Sequence, residues 1–463
     1  MKRFFSTTAL FLWAFTSVLP TSTPASAQGR APRQAPILTP YPNTIRNEGR
    51  APYRAEFISY DVRAEADAGM LKGSKYHRPL PLKSTDGTLF ETTVEIPGLW
   101  LDRDVYIRDT GRTGRYLLSV NGRRVGYNTD SYGTNDYHIT PYLTEGTNTV
   151  SIQTLAPSSA GGDMERFEAA PSRRTIDNLF IFSQPRLRIH DYTISGHHDD
   201  EYKDAVIDLA VVVVNDHNMP ESVRVGFDVF DPAGNLKEYA FKEAVIPGRG
   251  CDTVRFYNKL TGTQRFQYSA ENPALYRIVL SLRHGGRNTE YIPLRLGFGL
   301  TAWDGRQVTR GGTPIEVRSV EADFPVQRGA VERLRAFKRQ GYNTIAVTRP
   351  QQKWFYDTAA AEGLYVIDRA AVECDPRDGD RGPDGTVAND PSYLDRFLDR
   401  QTAMYHRGRN YPNIIGWSIA SESGNGYNLY KSYQLLRQLD PTRPVIYIGA
   451  NGEWNSDSIM NHE

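Results

Sequence analysis

The sequence predicts a multidomain protein in which two β-sandwiches, the second of them immunoglobulin-like, precede an incomplete (β/α) barrel of the TIM type. Short runs of alternating apolar and polar residues recur between turn signals over residues 53–182. The same pattern returns over residues 186–296, at spacings typical of an immunoglobulin-like sandwich of about 100 residues. After Gly297 short apolar strands alternate with helical stretches, which is the pattern of βαβ units and a parallel sheet.

The strands of the two sandwiches are predicted by runs rich in β-branched and aromatic residues. In the first sandwich they are residues 89–94, 104–107, 116–120 and 149–152, and Asn121-Gly122 predicts a tight hairpin turn. In the second sandwich they are residues 210–214, 223–230 and 276–282.

The third region predicts about six of the eight strands that close a TIM barrel. The candidate strands are residues 315–320, 343–347, 364–368, 414–419, 445–448 and 458–460. The helices between them are residues 331–340, 354–362, 393–405 and 427–439. Because active sites of such barrels form at the carboxyl ends of the strands, we expect the chemistry of this protein there.

The N-terminus predicts export of the protein. Lys2 and Arg3 precede an apolar core at residues 9–19 and a small-residue cleavage site at residues 25–27. We therefore interpret residues 1–27 as a signal peptide and expect a secreted protein, either periplasmic or extracellular. No later stretch approaches the ~20 apolar residues of a membrane helix, so no membrane span is expected.

The remaining chain divides into an arm and three domains. Residues 28–50 are rich in Pro, Arg and Asn and lack apolar periodicity, which is typical of a linker or an arm over a domain surface. The domains are predicted at residues 51–185, 186–297 and 298–463.

The charge balance excludes some classes of partner. Lys plus Arg number 55 and Asp plus Glu number 54, so no strong field would gather nucleic acid or an anionic membrane surface. A neutral substrate fits this balance best. The two cysteines, Cys251 and Cys374, lie far apart in sequence, and no disulfide framework is expected.

Glu422 is the candidate catalytic residue on position alone. It follows an apolar strand in a Ser-Glu-Ser-Gly-Asn-Gly turn that leads to a helix, so it belongs to the carboxyl end of a barrel strand. A carboxyl there can protonate the oxygen of a leaving glycoside. The alternative from the residues themselves is a solvated turn glutamate, or a charge at a helix N-terminus.

Three stretches resemble glycoside hydrolase family two, the family of the retaining β-galactosidases and β-glucuronidases. Residues 99–107, 120–127, 136–140 and 146–148 resemble its jelly-roll sugar-binding domain. Residues 268–276, Tyr-Ser-Ala-Glu-Asn-Pro-Ala-Leu-Tyr, resemble its W-S-A-E-N-P-x-L-Y signature with Tyr268 in place of Trp. Residues 362–368, 412–419 and 422–426 follow the pattern of its catalytic barrel.

The resemblance implies a retaining O-glycosyl hydrolase of the β-galactosidase type, with Glu422 as the general acid/base. The nucleophilic Glu of the family lies on a later strand, some seventy residues beyond the acid/base, and has no counterpart before Glu463. Ser421 stands where the family has an Asn that contacts the sugar, and Arg349 stands where it has a substrate-facing His. Asp163 resembles the jelly-roll Asp that reaches into the sugar site.

The resemblance also implies a magnesium site. Glu373, Asp375 and Glu422 would supply its oxygen ligands, with Asp375 where the β-galactosidases have a His. The competing interpretation of the acidic run at residues 375–384 is a solvated surface loop.

Two further functions stay open at this point. Substitutions at Ser319, Arg349, Arg369, Ala371 and Ser421 fit a secreted carbohydrate-binding pseudoenzyme. An incomplete barrel also fits a structural subunit, since an oligomer or a partner chain would cover its open edge. In each case a carbohydrate, such as a β-glycoside or a glycan, is the expected ligand, and its sugar is not determined by these residues.

Overall fold

The computed structural model describes residues 47–69, 75–100, 102–155, 164–165, 174–198, 204–261, 267–374 and 386–457. All of them belong to one compact unit, Ala35–Glu463. The predicted signal peptide, residues 28–46 of the predicted arm and the candidate strand at residues 458–460 lie outside the described residues, as do Asp163, Asp375 and Glu463.

The first domain is a β-sandwich of two antiparallel sheets. Its strands are β1 (His77–Pro79), β2 (Leu82–Ser84), β3 (Leu89–Glu95), β4 (Asp104–Asp109), β5 (Tyr116–Val120), β6 (Arg123–Asn128), β7 (Asn135–His138), β8 (Thr147–Thr154), β9 (Thr175–Ile176) and β10 (Leu179–Gln184). The sheets have the orders β1-β10-β4-β7 and β6-β5-β8-β3-β2-β9. The predicted hairpin is confirmed, because Asn121 and Gly122 have φ values of 52° and 72° between β5 and β6.

The second domain is also an antiparallel sandwich, with sheets ordered β11-β12-β15 and β14-β13-β16-β17. Alternate side chains of both sheets fill one apolar core, including Val211, Phe227 and Leu280. Its strands are β11 (Leu187–His198), β12 (Asp204–Asn215), β13 (Glu221–Phe230), β14 (Leu236–Ile246), β15 (Gly250–Thr261), β16 (Tyr276–His284) and β17 (Arg287–Leu296).

A small antiparallel sheet precedes the barrel and was not predicted. It comprises β18 (Thr301–Trp303), β19 (Val308–Arg310) and β20 (Thr313–Pro314). Ile315 donates from its backbone N–H to the Val308 carbonyl at 2.8 Å, so it still belongs to this turn. The strand predicted at residues 315–320 therefore starts late, at Ser319, because its first residues pair backwards instead.

The described part of the third domain contains five parallel strands in the order β21-β22-β23-β24-β25, alternating with helices. These strands and the four helices between them confirm the predicted βα pattern. Most of their ends lie within one or two residues of the predicted ends. The strands are β21 (Ser319–Ala322), β22 (Thr344–Val347), β23 (Tyr365–Arg369), β24 (Ile414–Ser418) and β25 (Val445–Ile446). The helices are α2 (Ala330–Arg339), α3 (Lys353–Glu362), α4 (Leu394–Gly408) and α5 (Tyr427–Leu439), and an unpredicted α1 (Arg63–Ala68) precedes the first sandwich.

The segment at residues 47–60 ties the three domains together. Glu48 and Arg50 make isolated β-bridges to Tyr127 and Tyr137 of the first sandwich. Arg50 also pairs with Asp399 of α4 at 2.7 Å. Tyr60, at the far end, makes a bridge to Tyr291 of the second sandwich. Because it runs between domains, this segment orients all three of them.

Within the described residues, none of the helices combines the length and hydropathy needed to cross a bilayer.

Gly408 ends α4 against the barrel core, and this contact yields a first prediction. A Cβ at this position would lie 2.7 Å from the rings of Trp417 and from the Ile414 methyl. Trp417 is fully buried and its indole N–H donates to Asp440 at 2.9 Å, so the ring cannot yield easily. We expect Gly408→Ala to lower the free energy of unfolding by about 1–3 kcal/mol. Urea unfolding checks this, with Gly98→Ala, which meets open space, as the control.

Candidate functional site

Glu422 lies where the sequence places it, in the turn between β24 and α5. All five residues of β24 are buried, so the turn begins at the carboxyl end of a core strand. The Glu422 side chain itself is exposed. The described part of the barrel therefore presents this carboxyl at its surface and does not enclose it.

The backbone around Glu422 is fixed by the loop that follows β23. The Ser421 N–H donates to the Val372 carbonyl at 2.8 Å. On the other side of Glu422, the Cys374 N–H donates to Ser423 Oγ at 2.9 Å. These hydrogen bonds fix the backbone from which the Glu422 side chain projects, which is one requirement of a positioned acid/base.

The two glycines of the turn, Gly424 and Gly426, are each required for a different structural reason. Gly424 has φ +71°, in the left-handed region where a side chain costs free energy. Gly426 lies against Asn389, and a Cβ on it would come within 2.6 Å of the Asn389 Cβ. Asn425 exchanges side-chain hydrogen bonds with Asn455 at 2.9 and 3.3 Å. The Ser-Gly-Asn-Gly sequence thus builds the turn that carries the exposed Glu422.

Arg369 occupies the space between the strand ends. It is 6% exposed, and its guanidinium donates to Ser418 at 3.2 Å, to Ser421 at 3.3 Å and to Glu321 at 3.0 Å. These partners belong to the ends of β24 and β21, so one side chain links three of the five strands. Ser421, the predicted sugar contact, already accepts a hydrogen bond from this arginine.

Arg349, the other predicted substrate contact, lies beside the first sandwich. Its guanidinium is 3.9 Å from a Glu373 carboxylate oxygen and 5.6 Å from the ring centroid of Tyr132. Arg112 of the first sandwich pairs with Asp323 at the end of β21. Burial alone would raise the pKa of Asp323, but the hydrogen bonds of Arg112 outweigh it and hold this pKa below its usual range.

A buried ion pair between Asp368 and Arg407 holds the end of β23, from which Arg369 projects. Asp368 is fully buried and accepts from Arg407 at 2.9 and 3.2 Å and from the Tyr356 hydroxyl at 2.7 Å. Burial raises the pKa of Asp368 in spite of its cationic neighbour. Arg407 also donates to the backbone carbonyl of Arg369 at 3.3 Å, so the pair holds the strand end from which Arg369 projects.

The two described residues that follow Asp163, Met164 and Glu165, contact the barrel. Met164 is fully buried in the barrel core, and its carbonyl accepts from the Glu373 N–H at 2.7 Å. Glu165 is 2% exposed and lies within ion-pair distance of Arg115, at 3.3 Å, and of Arg400 in α4, at 3.5 Å. Asp163 lies outside the described residues, so its predicted role at the sugar site stays a prediction.

The predicted magnesium ligands are not assembled by the described residues. Glu373 faces the Arg349 guanidinium, and Asp375 lies outside the described residues. In the part of the chain that the structure describes, no three Asp, Glu, His or Cys side chains come together as a metal site. Magnesium binding therefore stays a prediction that depends on Asp375.

Sequence reasoning missed three residues that shape this region, namely Arg112, Tyr132 and Arg407. The first two lie in turns of the first sandwich, and their contacts with the barrel depend on domain packing. Arg407 carries a signal that was available, because a charged residue on the apolar face of α4 needs a buried partner.

Three family models match the chain. The model described as "Glycosyl hydrolases family 2, sugar binding domain" matches residues 76–170. "Glycosyl hydrolases family 2" matches residues 187–298, and "Glycosyl hydrolases family 2, TIM barrel domain" matches residues 330–463. One family thus accounts for the two sandwiches and the barrel, in that order.

Curated relatives of the chain are named β-galactosidase. The protein from Leuconostoc mesenteroides subsp. mesenteroides is 26% identical over 386 residues, which cover 80% of this chain and 36% of that protein. The protein from Priestia megaterium is 27% identical over 370 residues, which cover 76% and 35%. The chain therefore spans about a third of the length of these relatives.

Solved structures agree with this fold. The β-glucuronidase of Bacteroides uniformis superposes with a TM-score of 0.64 at 17% identity, over 78% of this chain and 46% of that one. A β-glycosidase from Bacteroides vulgatus superposes with a TM-score of 0.64 at 18% identity, over 79% and 46%. The chain therefore belongs to glycoside hydrolase family two, with that family's sugar-binding, immunoglobulin-like and TIM-barrel domains.

Proposed function

We propose that this protein is a retaining O-glycosyl hydrolase acting on β-glycosides, with Glu422 as its general acid/base. The observation that carries the proposal is the place of Glu422, at the carboxyl end of β24 on a turn anchored by Ser421 and Ser423. The names of the curated relatives favour hydrolysis over the binding-only alternative, and they make a β-galactoside the first substrate to test.

The proposed chemistry needs two carboxyl groups. In retaining glycosidases one carboxyl protonates the leaving oxygen, and the other, about 5–5.5 Å away, attacks the sugar and forms a glycosyl-enzyme intermediate. Water then releases the sugar, with the first carboxyl acting as base. Glu422 would fill the first role. The resemblance implies that the nucleophile belongs to a later strand, some seventy residues beyond Glu422.

The residues around Glu422 would position the sugar. The Arg369 guanidinium lies beside Ser421 and would donate to the sugar. The first domain matches a family model that is described as a sugar-binding domain. Because Arg369 is held by three partners, its donors are fixed before a ligand arrives, which lowers the entropic cost of binding.

The test is hydrolysis of nitrophenyl β-glycosides by the purified full chain. The panel contains the galactoside, glucoside, mannoside and glucuronide, and Glu422→Gln is measured beside the wild type. We expect the variant to lose at least about a hundredfold in kcat, since the same carboxyl must activate the water that releases the sugar, and general acid–base catalysis typically contributes that much. Glu332→Gln, an exposed glutamate of α2, is the control and should leave the rate unchanged. Release of nitrophenol from none of these substrates, or equal release by the wild type and Glu422→Gln, would contradict the proposal.

A further inference from the structure

Among the described residues, the second sandwich leaves two sheet edges open, at β14 and β15. Its sheets have the orders β11-β12-β15 and β14-β13-β16-β17, so the outer strands are β11, β15, β14 and β17. On β17, Tyr291 exchanges backbone hydrogen bonds with Tyr60 at 2.7 and 2.9 Å. On β11, the Ile194 N–H donates at 3.0 Å to Asn410, which follows α4. In this part of the chain no further strand pairs with β14 or β15.

The edge strand β14 exposes aromatic side chains to solvent. Tyr239 is 66% exposed and Phe241 is 54% exposed, whereas Ala240 between them packs against the core of the sandwich. The Tyr239 N–H donates to the Glu238 carboxylate at 2.9 Å, so a side chain of the same strand satisfies this backbone group. Proteins seldom leave a long apolar edge strand open, because its backbone groups can pair with a strand of another chain.

The charges of β14 complement themselves when two copies of the strand run antiparallel. The strand reads Leu-Lys-Glu-Tyr-Ala-Phe-Lys-Glu-Ala-Val-Ile. With a two-fold axis at Ala240, Glu238 lies opposite Lys242 of the second copy. In the same register Lys237 lies opposite Glu243 of the second copy. Each charge of the strand thus meets an opposite charge, and such directly opposed pairs stabilise antiparallel strands.

The aromatic residues select the same register. Tyr239 and Phe241 flank Ala240, so each ring lies opposite the other across the axis, on the exposed face of the sheet. An axis at Tyr239 or at Phe241 would instead place every charge of β14 opposite an uncharged residue. An axis between two residues would join the exposed face of one sheet to the core face of the other.

We propose that a second copy of this chain docks on β14, antiparallel and centred on Ala240. The two copies then share one sheet of eight strands, four from each. In this sheet the Glu238 carboxylate exchanges the Tyr239 N–H for Lys242 of the second copy. A single pair of strands is a small interface, so we expect a reversible dimer with a Kd of about 1–100 µM. The interaction goes beyond the proposed function, because it involves the second sandwich and requires no hydrolysis.

Sedimentation velocity of the full chain measures this equilibrium over about 1–200 µM, a range that brackets weak interfaces. We expect the wild type to change from monomer to dimer across the range. Lys242→Glu should raise the Kd at least about tenfold, because two attractive pairs with Glu238 become repulsive. Lys83→Glu, an exposed lysine of β2, makes the same change of charge and should dimerise as the wild type does.

A compensating variant separates contact between copies from contact within one chain. Adding Glu238→Lys to Lys242→Glu restores opposite charges across the axis, so the Kd should return to within about threefold of the wild type. Lys242 also donates to the Arg255 carbonyl, and the double variant lacks that donor, so a role within one chain would not be restored. Melting temperatures at the lowest concentration check that each variant is folded.

Cysteine cross-linking tests the register without a change of charge. Ala240 would lie opposite itself, at a Cα distance of about 4.5–5.5 Å that a disulfide can span. In a Cys251→Ser background, which removes the exposed cysteine, Ala240→Cys should form a disulfide-linked dimer under mild oxidation. Ala244→Cys, on the same face of β14, should not, since its two copies would lie more than about 20 Å apart.

Four results would each overturn the proposed dimer. They are a chain that stays monomeric at every concentration, a dimer that Lys242→Glu leaves unchanged, a double variant that does not recover, and cross-linking that is equal at positions 240 and 244.

Discussion

Asp136→Asn should destabilise the first domain by about 3–5 kcal/mol, because it leaves two buried guanidiniums without a counter-ion. Asp136 accepts from Arg108 at 2.6 and 2.7 Å and from Arg54 at 2.9 and 3.2 Å. Arg54 belongs to the segment that ties the domains, so the loss should also loosen that segment. Urea unfolding followed by tryptophan fluorescence measures the change. Asp177→Asn, an exposed aspartate between β9 and β10, is the control and should change little.

The same substitution should change how stability depends on pH. Burial alone would raise the pKa of Asp136, but Arg108 and Arg54 outweigh it and hold this pKa well below its usual range. A carboxyl with a lowered pKa in the folded state stabilises fully above its unfolded pKa of about 3.9, and this contribution is lost as pH falls towards the folded pKa. The difference between wild type and Asp136→Asn should thus be constant above about pH 5 and shrink below about pH 4.

Two neighbouring histidines titrate in the same region and respond to the substitution. Burial lowers the pKa of His77 and of His190 to about 4, and the charge of Asp136 opposes this shift at both, so the comparison is made in a background that carries His77→Gln and His190→Gln. A difference that stays constant down to pH 2 would contradict the assigned role of Asp136.

Arg407→Met should lower the free energy of unfolding by about 3–5 kcal/mol, because it strands the buried carboxylate of Asp368. Asp368 is fully buried, and when Arg407 is lost its remaining donors among the described residues are the Tyr356 hydroxyl and the Arg369 N–H. Arg407 also donates to the Arg369 carbonyl, so the variant should weaken any activity that depends on the position of Arg369. Urea unfolding and the nitrophenyl assay measure the two effects.

A double variant decides whether charge or packing is responsible. Asp368→Asn in the Arg407→Met background removes the stranded charge, so it should recover part of the lost stability. Arg335→Met breaks the exposed pair with Glu362 and should change little, since surface pairs contribute weakly. If the double variant is no more stable than Arg407→Met alone, side-chain packing and not the buried charge sets the effect.

The features that sequence reasoning predicted correctly are local ones. The strands at residues 344–347 and 414–418 follow from short apolar runs, and the hairpin at Asn121-Gly122 follows from the left-handed conformations that these two residues tolerate. The place of Glu422 follows in the same way, because a strand, a glycine-containing turn and a helix are consecutive in the chain. Tyr268 in the family signature has no such local reason, because its hydroxyl donates at 2.9 Å to the Ala360 carbonyl, 92 positions further along the chain.

The features that were missed depend on contacts between distant parts of the chain. Residues 315–318 look like a strand, yet Ile315 pairs with β19 because a turn at Gly311 and Gly312 folds the chain back. Arg112 and Asp323 are 211 positions apart, and their ion pair exists only because the first sandwich docks on the barrel.

By itself, the sequence determined the family, the order of the three domains and the strand end that carries Glu422, because periodicity and turn residues act between near neighbours in the chain. Only the tertiary structure decided that Arg369 spans three strand ends, that Glu422 is exposed, and that Arg112 of the first sandwich pairs with Asp323 of the barrel. Burial and ion pairing depend on which surfaces meet when the domains pack, and the order of residues along the chain does not show which surfaces meet.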